Sequence, residues 1–529
     1  MRIKRRSVLE LKLKTRKKYE NPFLDIELNC SFMSPSGKEY VMPGFYDGDG
    51  IWKVRFSPNE VGTWSYKAST RVSDPDLPST AQFEVVEPDK PVRGFLKTCP
   101  GKYWGLEYES GEPSFIFGDT VYNLFGIAYC GLDVEGVLKR RAQQGFNLIR
   151  VRLPVSLFHP PEGYNDWQTR STWPWRGSPQ KPVFDRFNLE YFQTVDKVVR
   201  LAEELGIGFE MIMEGWGFEY PFNARNVFIP EYEELWMRYL IARYDAFNSV
   251  YIWTLMNEYE YYPNGDWHYK PEADLWAIRT GRFVKNIAPH GHPVAVHNGP
   301  EDPPFAKRFK RAPGVIDLVM FQTWGTRGKD DAWLAAGIED KISSSLKEWK
   351  GSYIFAEYGY ERNLSLELKL PGHEYLDSVH TRRGAWRGAF SGTGIIHGFE
   401  NTWGPWWIPD EDQEGMKCLL TLKNFFTNTV EFHRFKPDSR IIDQSVRYKF
   451  GTKPLCMSTG QGDAVLLYLP VGGSVTLNLP NAEEFESLWY DPRTEEVSEA
   501  QKEVRGSKVK FQTESSHSSD WVLVLRKTG

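Results

Sequence analysis

Cysteine is scarce in this 529-residue chain: five residues, at 30, 99, 130, 418 and 456, with no CxxC pair. An odd, scattered set excludes a disulfide framework and a structural zinc site of the usual spacing. There is no HExxH, and His159, His268 and His397 do not form a metal-ligand spacing, so neither a metal nor any other cofactor is implied. No glycine-rich phosphate loop is found. Neither sign of charge dominates, with 65 basic against 70 acidic residues and a net −5. That balance removes any electrostatic argument for a nucleic-acid or anionic-membrane partner. No apolar run approaches the length of a membrane span. The basic start, MRIKRRSVLELKLKTRKKYE, has no continuous apolar stretch behind it. It therefore does not read as a secretory signal, and a cytoplasmic protein is expected unless a signal ahead of Met1 has been removed. The alternation of Leu with Lys and Arg in that segment suggests a solvated first strand rather than a binding arm.

Aromatic residues, by contrast, are abundant: 15% of the chain, including 20 Trp. Trp fills cores, and it also stacks on the flat C–H faces of sugar rings. Trp52, Trp64, Trp489 and Trp521 fall in β-patterned segments and are expected in cores.

The texture changes twice along the chain. Residues 1–90 carry short runs (FLDIELNCSFMSP, EYVMPGFYDGD, IWKVRFSPNEVG, TWSYKAST, AQFEVVEP) separated by Gly, Pro, Asp and Ser. That spacing predicts an Ig-like β-sandwich. A charged, proline-bearing linker (87–94) follows. From 95 to 432, eight apolar runs alternate with helical patterns: PSFIFGDT (113–120), FNLIRVRLP (146–154), IGFEMIMEGW (207–216), VYIWTLMNE (250–258), HPVAVHNG (292–299), IDLVMFQTWG (316–325), SYIFAEYG (352–359) and GIIHGFENTWG (394–404). Eight β-then-α units predict a (β/α)8 TIM barrel, an α/β fold, rather than a doubly wound open sheet. From 433 to 529 SVRYKFG, LCMSTGQG, AVLLYLP, GSVTLNLP, ESLWYDPRT, KVKFQT and SDWVLVLR read as a second sandwich.

Barrels place chemistry at the C-terminal ends of their strands. Those ends carry Asp119, the Arg150 and Arg152 pair, Glu214 and Trp216, Asn257 and Glu258, His297 and Asn298, Gln322 and Trp324, Glu357, and Glu400 with Trp403. Glu258 and Glu357, on strands four and seven, face each other across such a mouth. Paired carboxylates are what glycosidic cleavage needs, one as proton donor and one as anion. A separation of about 5–5.5 Å goes with retention and about 6.5–9.5 Å with inversion. Asp119 has two readings, substrate ligand or cap, as does His297, sugar ligand or core histidine. Glu214 is either a third carboxylate or a partner behind the site. An inward Arg must be paired, so one of Arg150 and Arg152 is expected to hold Glu357 and the other to make a structural ion pair. Trp406 and Trp407 join the candidate cleft aromatics. The segment SLFHPPEGYNDWQTRSTWPWRG (156–177) is long enough to close one end of a cleft.

VYIWTLMNEY and YIFAEYG resemble the strand-four and strand-seven motifs of clan A glycoside hydrolases, the group that includes family 5 cellulases and mannanases. The resemblance implies a retaining β-glycosidase, with Glu258 as acid/base and Glu357 as nucleophile. Asn257 would then bond the sugar 2-hydroxyl, Arg150 steady the nucleophile and Trp403 form a sugar platform. At strand six, where the clan often has a Tyr touching the nucleophile, this chain has Gln322 and Trp324. FIFGDTVYNLFG and FQTWG are similar to segments of the apiosidase-like group. GFYDGDGIWKVRFSPNEVGTWSY resembles the N-terminal sandwich often fused to such barrels. LWYDPRT with SDWVLVL resembles their C-terminal, collagen-binding-like sandwich. The implied partner is an oligosaccharide or polysaccharide. The competing reading is a non-catalytic carbohydrate-binding or adhesion protein on the same scaffold. Sugar identity, exo or endo action and oligomeric state stay open at this level.

Overall fold

The computed structural model describes residues 1–155, 173–266, 268–299, 305–322, 337–358, 361, 377–398, 413–448, 451–513 and 519–528. At its centre eight parallel strands close into a barrel in sequence order: Phe117–Thr120, Leu148–Arg152, Gly208–Trp216, Val250–Asn257, Val294–His297, Leu318–Gln322, Ser352–Glu357 and Gly394–His397. They are called barrel strands one to eight below. Every apolar run singled out from the sequence supplies one of them.

The helices between the strands start and stop where local chemistry dictates. Helix Val134–Gln144 opens on Asp133, whose side chain accepts from Gly136 N, and closes on Gly145 at φ 84°. Helix Leu189–Leu205 opens on Asn188 and closes on Gly206 at φ 72°. Glycine ends a helix in the left-handed region without the Cβ clash that other residues meet there. All nine residues of barrel strand three are buried, Glu210 and Glu214 among them. Strands of a parallel barrel are covered on both faces, so any charge on them must find a partner inside the protein.

Ahead of the barrel, a five-stranded sheet (order Arg2–Lys4, Ser79–Val86, Gly62–Thr70, Leu28–Met33, Glu39–Pro43) lies with a three-stranded sheet (Leu9–Lys14, Ile51–Phe56, Phe45–Tyr46). Leu9 and Leu11 turn inward while Lys12 and Lys14 face solvent, the alternation expected of a half-buried strand. Phe32 stacks on Phe56 at 4.1 Å in this core, with Trp52 and Trp64 buried beside them. Arg55 leaves this sandwich for the barrel. Its guanidinium reaches both oxygens of Asp196 at 3.1 and 2.5 Å and the Arg243 carbonyl at 2.7 Å. Arg243 in turn bonds Asp196 at 2.8 and 3.0 Å and pairs with Asp47 at 2.9 Å.

After the barrel come a six-stranded sheet and a three-stranded sheet (Ser474–Asn478, Lys508–Gln512, Lys502–Arg505). Trp489 is buried between them, with Trp521 packed at the edge of the same core. Arg382 of the barrel bonds Asp520 at 2.7–3.1 Å, and Tyr468 donates to the same carboxylate at 3.1 Å. One expected strand is absent among the described residues: in SVRYKFG, Ser445 lies in a turn, Val446 in a bend, Arg447 and Tyr448 in no regular element, and 449–450 fall outside the described residues. Ser445 N donates to Asp443 Oδ1 at 3.0 Å and Val446 N to Asp443 O at 3.3 Å. This side-chain turn captures the backbone groups that a sheet ladder needs. Short strands at Phe435–Pro437, Val497–Glu499 and Lys502–Arg505 were not anticipated. Among the described residues, no helix is long and apolar enough to cross a membrane.

Candidate active site

Barrel strand two sets the floor of the site. Arg150 and Arg152 share its inward face by the two-residue period, and both are fully buried. Arg150 donates through Nη1 to Glu357 Oε1 at 2.6 Å and through Nη2 to Asn257 Oδ1, and its Nε lies 3.2 Å from Glu210 Oε2. One cation thus ties together strands two, three, four and seven. Arg152 bonds Glu219 instead and lies over the Trp216 ring at 4.5 Å, so its role in the described residues is structural. The division of labour expected between the two arginines is the one observed.

Glu357 ends strand seven and is 3% exposed. Its Oε1 accepts from Arg150 and also from the Tyr122 hydroxyl at 2.8 Å, and His297 Nε2 stands 3.6 Å away.

Glu258 directly follows strand four. Burial, reinforced by the charge of Glu357, pushes its carboxyl up to about 8, against the opposing pull of Gln322 and Arg150. Gln322 Nε2 donates to Glu258 Oε1 at 2.7 Å. The backbone of Glu258 sits in the left-handed region at φ 53°, ψ 53°. A non-glycine residue there carries strain of about 1–3 kcal/mol and persists only where neighbours hold it. Here Tyr261 N returns to Glu258 O at 3.2 Å, and the Tyr259 hydroxyl anchors the turn to Asp274 at 2.9 Å. Gly299 closes beneath, where a Cβ would collide with the Glu260 carboxylate and crowd Glu258.

Two further polar side chains at this floor have atoms with no hydrogen-bond partner among the described residues: Asn257 at Nδ2 and His297 at both ring nitrogens. Burial, aided by the charge of Arg150, holds His297 far below its ordinary range, so it is neutral. Buried polar atoms left in this state suit a hydroxyl-rich ligand.

Other candidates are committed elsewhere. Asp119 is buried, with Oδ2 on Arg141 Nε at 2.6 Å and Oδ1 taking Thr120 N at 3.0 Å. It links strand one to helix Val134–Gln144. Trp216 is 5% exposed and packs against Tyr122, Arg152 and Phe218, so it supports the site from behind. Glu214 bonds Arg225 at 2.6 Å. Burial pushes its carboxyl up to about 8 despite Arg225, with Glu233 adding to the rise. His268 is exposed, and His397 is buried with its carbonyl taken by Thr120 Oγ1 at 2.7 Å. Trp173 and Trp175, from the long segment after strand two, are core residues. Residues 156–172 of that segment, His159, Trp324, Glu400, Trp403, Trp406 and Trp407 lie outside the described residues. Sequence reasoning missed Tyr122, Glu210 and Glu219. Only Tyr122 left a trace, as the aromatic two residues after Thr120 in FIFGDTVYNLFG.

The profile of the "Apiosidase-like, catalytic domain" family matches residues 102–424, more than half of the chain. The protein belongs to the apiosidase-like family. Two further profiles flank that match: a domain of unknown function (DUF5060) at residues 2–71 and the "Putative collagen-binding domain of a collagenase" at 437–526. No curated protein matches this apiosidase-like chain. Among solved structures, it aligns over 100% of both chains with a Bacteroides vulgatus protein described as "a putative glycoside hydrolase", at TM-score 0.73 and 19% identity. A family 5 glycoside hydrolase from the same organism aligns with 82% of this chain and 94% of its own, at TM-score 0.60 and 17% identity. A further glycoside hydrolase covers 82% of this chain and 97% of its own at TM-score 0.61 and 18% identity. At such identities the likeness is one of fold: a glycoside hydrolase barrel between β-sandwiches. Family and fold together support a glycosidase acting on carbohydrate.

Proposed function

We propose that this apiosidase-like protein is a retaining glycoside hydrolase that cleaves a β-glycosidic bond in an oligo- or polysaccharide by double displacement. One observation carries the reading: two neighbouring carboxyl groups held in different surroundings. Glu258 is protonated through neutral pH, with its carboxyl up at about 8, while Glu357 is bound by the Arg150 guanidinium and the Tyr122 hydroxyl. Environments that push two carboxyls apart assign the acid and the anion.

In the first step a Glu357 oxygen attacks the anomeric carbon. The bond to the leaving oxygen breaks, and that oxygen takes the proton of Glu258. In the second step Glu258, now anionic, accepts a proton from water as the water oxygen attacks the same carbon and Glu357 departs. Splitting the displacement this way replaces one hard step by two easier ones. Asn257 Nδ2 and His297 are the groups available to sugar hydroxyls. The β preference rests on the likeness of the strand-four and strand-seven segments to clan A. A non-catalytic sugar binder has no use for an acid poised against an anion, which disfavours the alternative.

The test is hydrolysis of a panel of aryl glycosides by the wild type and by Glu357→Ala, with azide added to the variant. The expected result is turnover by the wild type, loss in the variant, and azide rescue giving a glycosyl azide of inverted configuration. Full activity in Glu357→Ala would remove Glu357 from the mechanism.

A further inference from the structure

We infer that Tyr122, just past the end of barrel strand one, acts with Arg150 to select which oxygen of Glu357 attacks. The inference rests on Glu357 being the nucleophile. The Tyr122 hydroxyl donates to Glu357 Oε1 at 2.8 Å, and Arg150 Nη1 reaches the same oxygen at 2.6 Å. Both donors meet on Oε1, so Oε2 keeps its lone pairs for the anomeric carbon. A carboxylate able to rotate would present either oxygen; one pinned on a single side presents the other.

The position of Tyr122 is built into the barrel. Strand one pairs with strand two in the register Asp119↔Ile149, Thr120↔Arg150. The pairing then runs past the strand end: Val121 N donates to Arg150 O at 3.0 Å, and Arg152 N to Tyr122 O at 2.9 Å. The backbone of Tyr122 is therefore bonded to the strand that carries Arg150, and the two donors move as a unit. The ring is fully buried, edge-on to Trp216 at 5.2 Å, with the Arg150 guanidinium over it at 5.2 Å. Strand six, which ends in Gln322, is occupied with the other carboxyl, Glu258.

In the reaction Oε2 forms the bond to the anomeric carbon as the leaving oxygen departs with the Glu258 proton. Oε1 becomes the carbonyl oxygen of the glycosyl ester and keeps its contact with Tyr122. When water attacks the anomeric carbon, the Oε2–carbon bond breaks and its electron pair returns to Glu357. Charge then develops again on a carboxylate that Tyr122 stabilises, so the hydroxyl favours release of the sugar as well as attack. Tyr122 is a positioning residue, acting through Glu357.

The test is Tyr122→Phe, assayed for kcat/KM against pH and for turnover of a 2-deoxy-2-fluoro glycosyl-enzyme, beside Glu357→Ala with azide. A hydrogen bond to a charged group is lost, so kcat/KM should fall about 10- to 100-fold. The acid limb of the profile should rise by about one pH unit, because the Glu357 anion loses a donor. The trapped ester should also persist longer. Replacement of Tyr122 by 3,5-difluorotyrosine, a stronger donor, should move the acid limb down, and it provides the readout if the Phe variant does not fold. Wild-type kcat/KM with an unmoved acid limb in Tyr122→Phe, or no downward shift with difluorotyrosine, overturns the inference. If Glu357→Ala stays active, the failure lies instead with the nucleophile.

Discussion

Gln322→Met should extend activity to higher pH. Gln322 is buried and donates to Glu258 Oε1 at 2.7 Å. That bond stabilises the ionised form of Glu258 and so works against burial and Glu357, which hold the carboxyl up at about 8. A hydrogen bond to a charged group contributes about 1.5–3 kcal/mol net, and one pKa unit corresponds to about 1.4 kcal/mol. Without the donor, the Glu258 carboxyl should therefore rise by about one to two units. Methionine fills a similar volume with no polar atom to re-form the contact. Glu258 must be protonated to release the leaving group, so the basic limb of kcat/KM marks its ionisation. That limb should move from near 8 in the wild type toward about 9–10 in the variant. The assay needs a glycoside with an unactivated leaving group, since a good leaving group departs without a proton. A limb that stays in place or moves down would falsify the reasoning, because the Gln322 amide would then be accepting from the neutral acid rather than donating to the anion.

Three other outcomes follow from the same contacts. Asp196→Asn should destabilise the full chain by about 3 kcal/mol, the low end for breaking a buried ion pair, because Arg55 keeps Glu10 and Arg243 keeps Asp47; an unchanged denaturant midpoint would contradict this. Arg243 and Arg55 hold Asp196 down at about 2 from an ordinary 3.8, against the opposing effect of its burial. A depressed carboxylate contributes stability that is fully present above its unfolded value and lost as pH falls through its folded one. Acid titration followed by circular dichroism should thus show this contribution eroding between about pH 4 and pH 2 in the wild type and missing in Asp196→Asn. Glu233→Gln should lower the melting temperature by several degrees, because the amide keeps one acceptor but loses the charge that pairs Oε1 with Arg225 at 2.8 Å and Oε2 with Arg279.

Local pattern decides a large part of this protein. Eight apolar runs at helix-spanning intervals fit a closed parallel ring, and Gly145 and Gly206 stop helices wherever the chain goes next. Arg150, Glu258 and Glu357 are legible because strand ends are legible and because residues two apart share a face. Which groups meet is another matter. Tyr122 and Glu357 are 235 residues apart, and only the closing of strand one beside strand two brings the hydroxyl to the carboxylate. Asp119 turns to Arg141, Glu214 to Arg225 and Arg152 to Glu219 because helices and loops supply cations and carboxylates whose reach no spacing encodes. SVRYKFG has the alternation of a strand, yet the Asp443 turn takes the backbone N–H groups of Ser445 and Val446. Glu258 and Glu357 are the same residue type at equivalent strand ends. Burial and the neighbouring Glu357 push the Glu258 carboxyl up, whereas Glu357 takes the Arg150 and Tyr122 donors, and both surroundings are properties of the closed barrel.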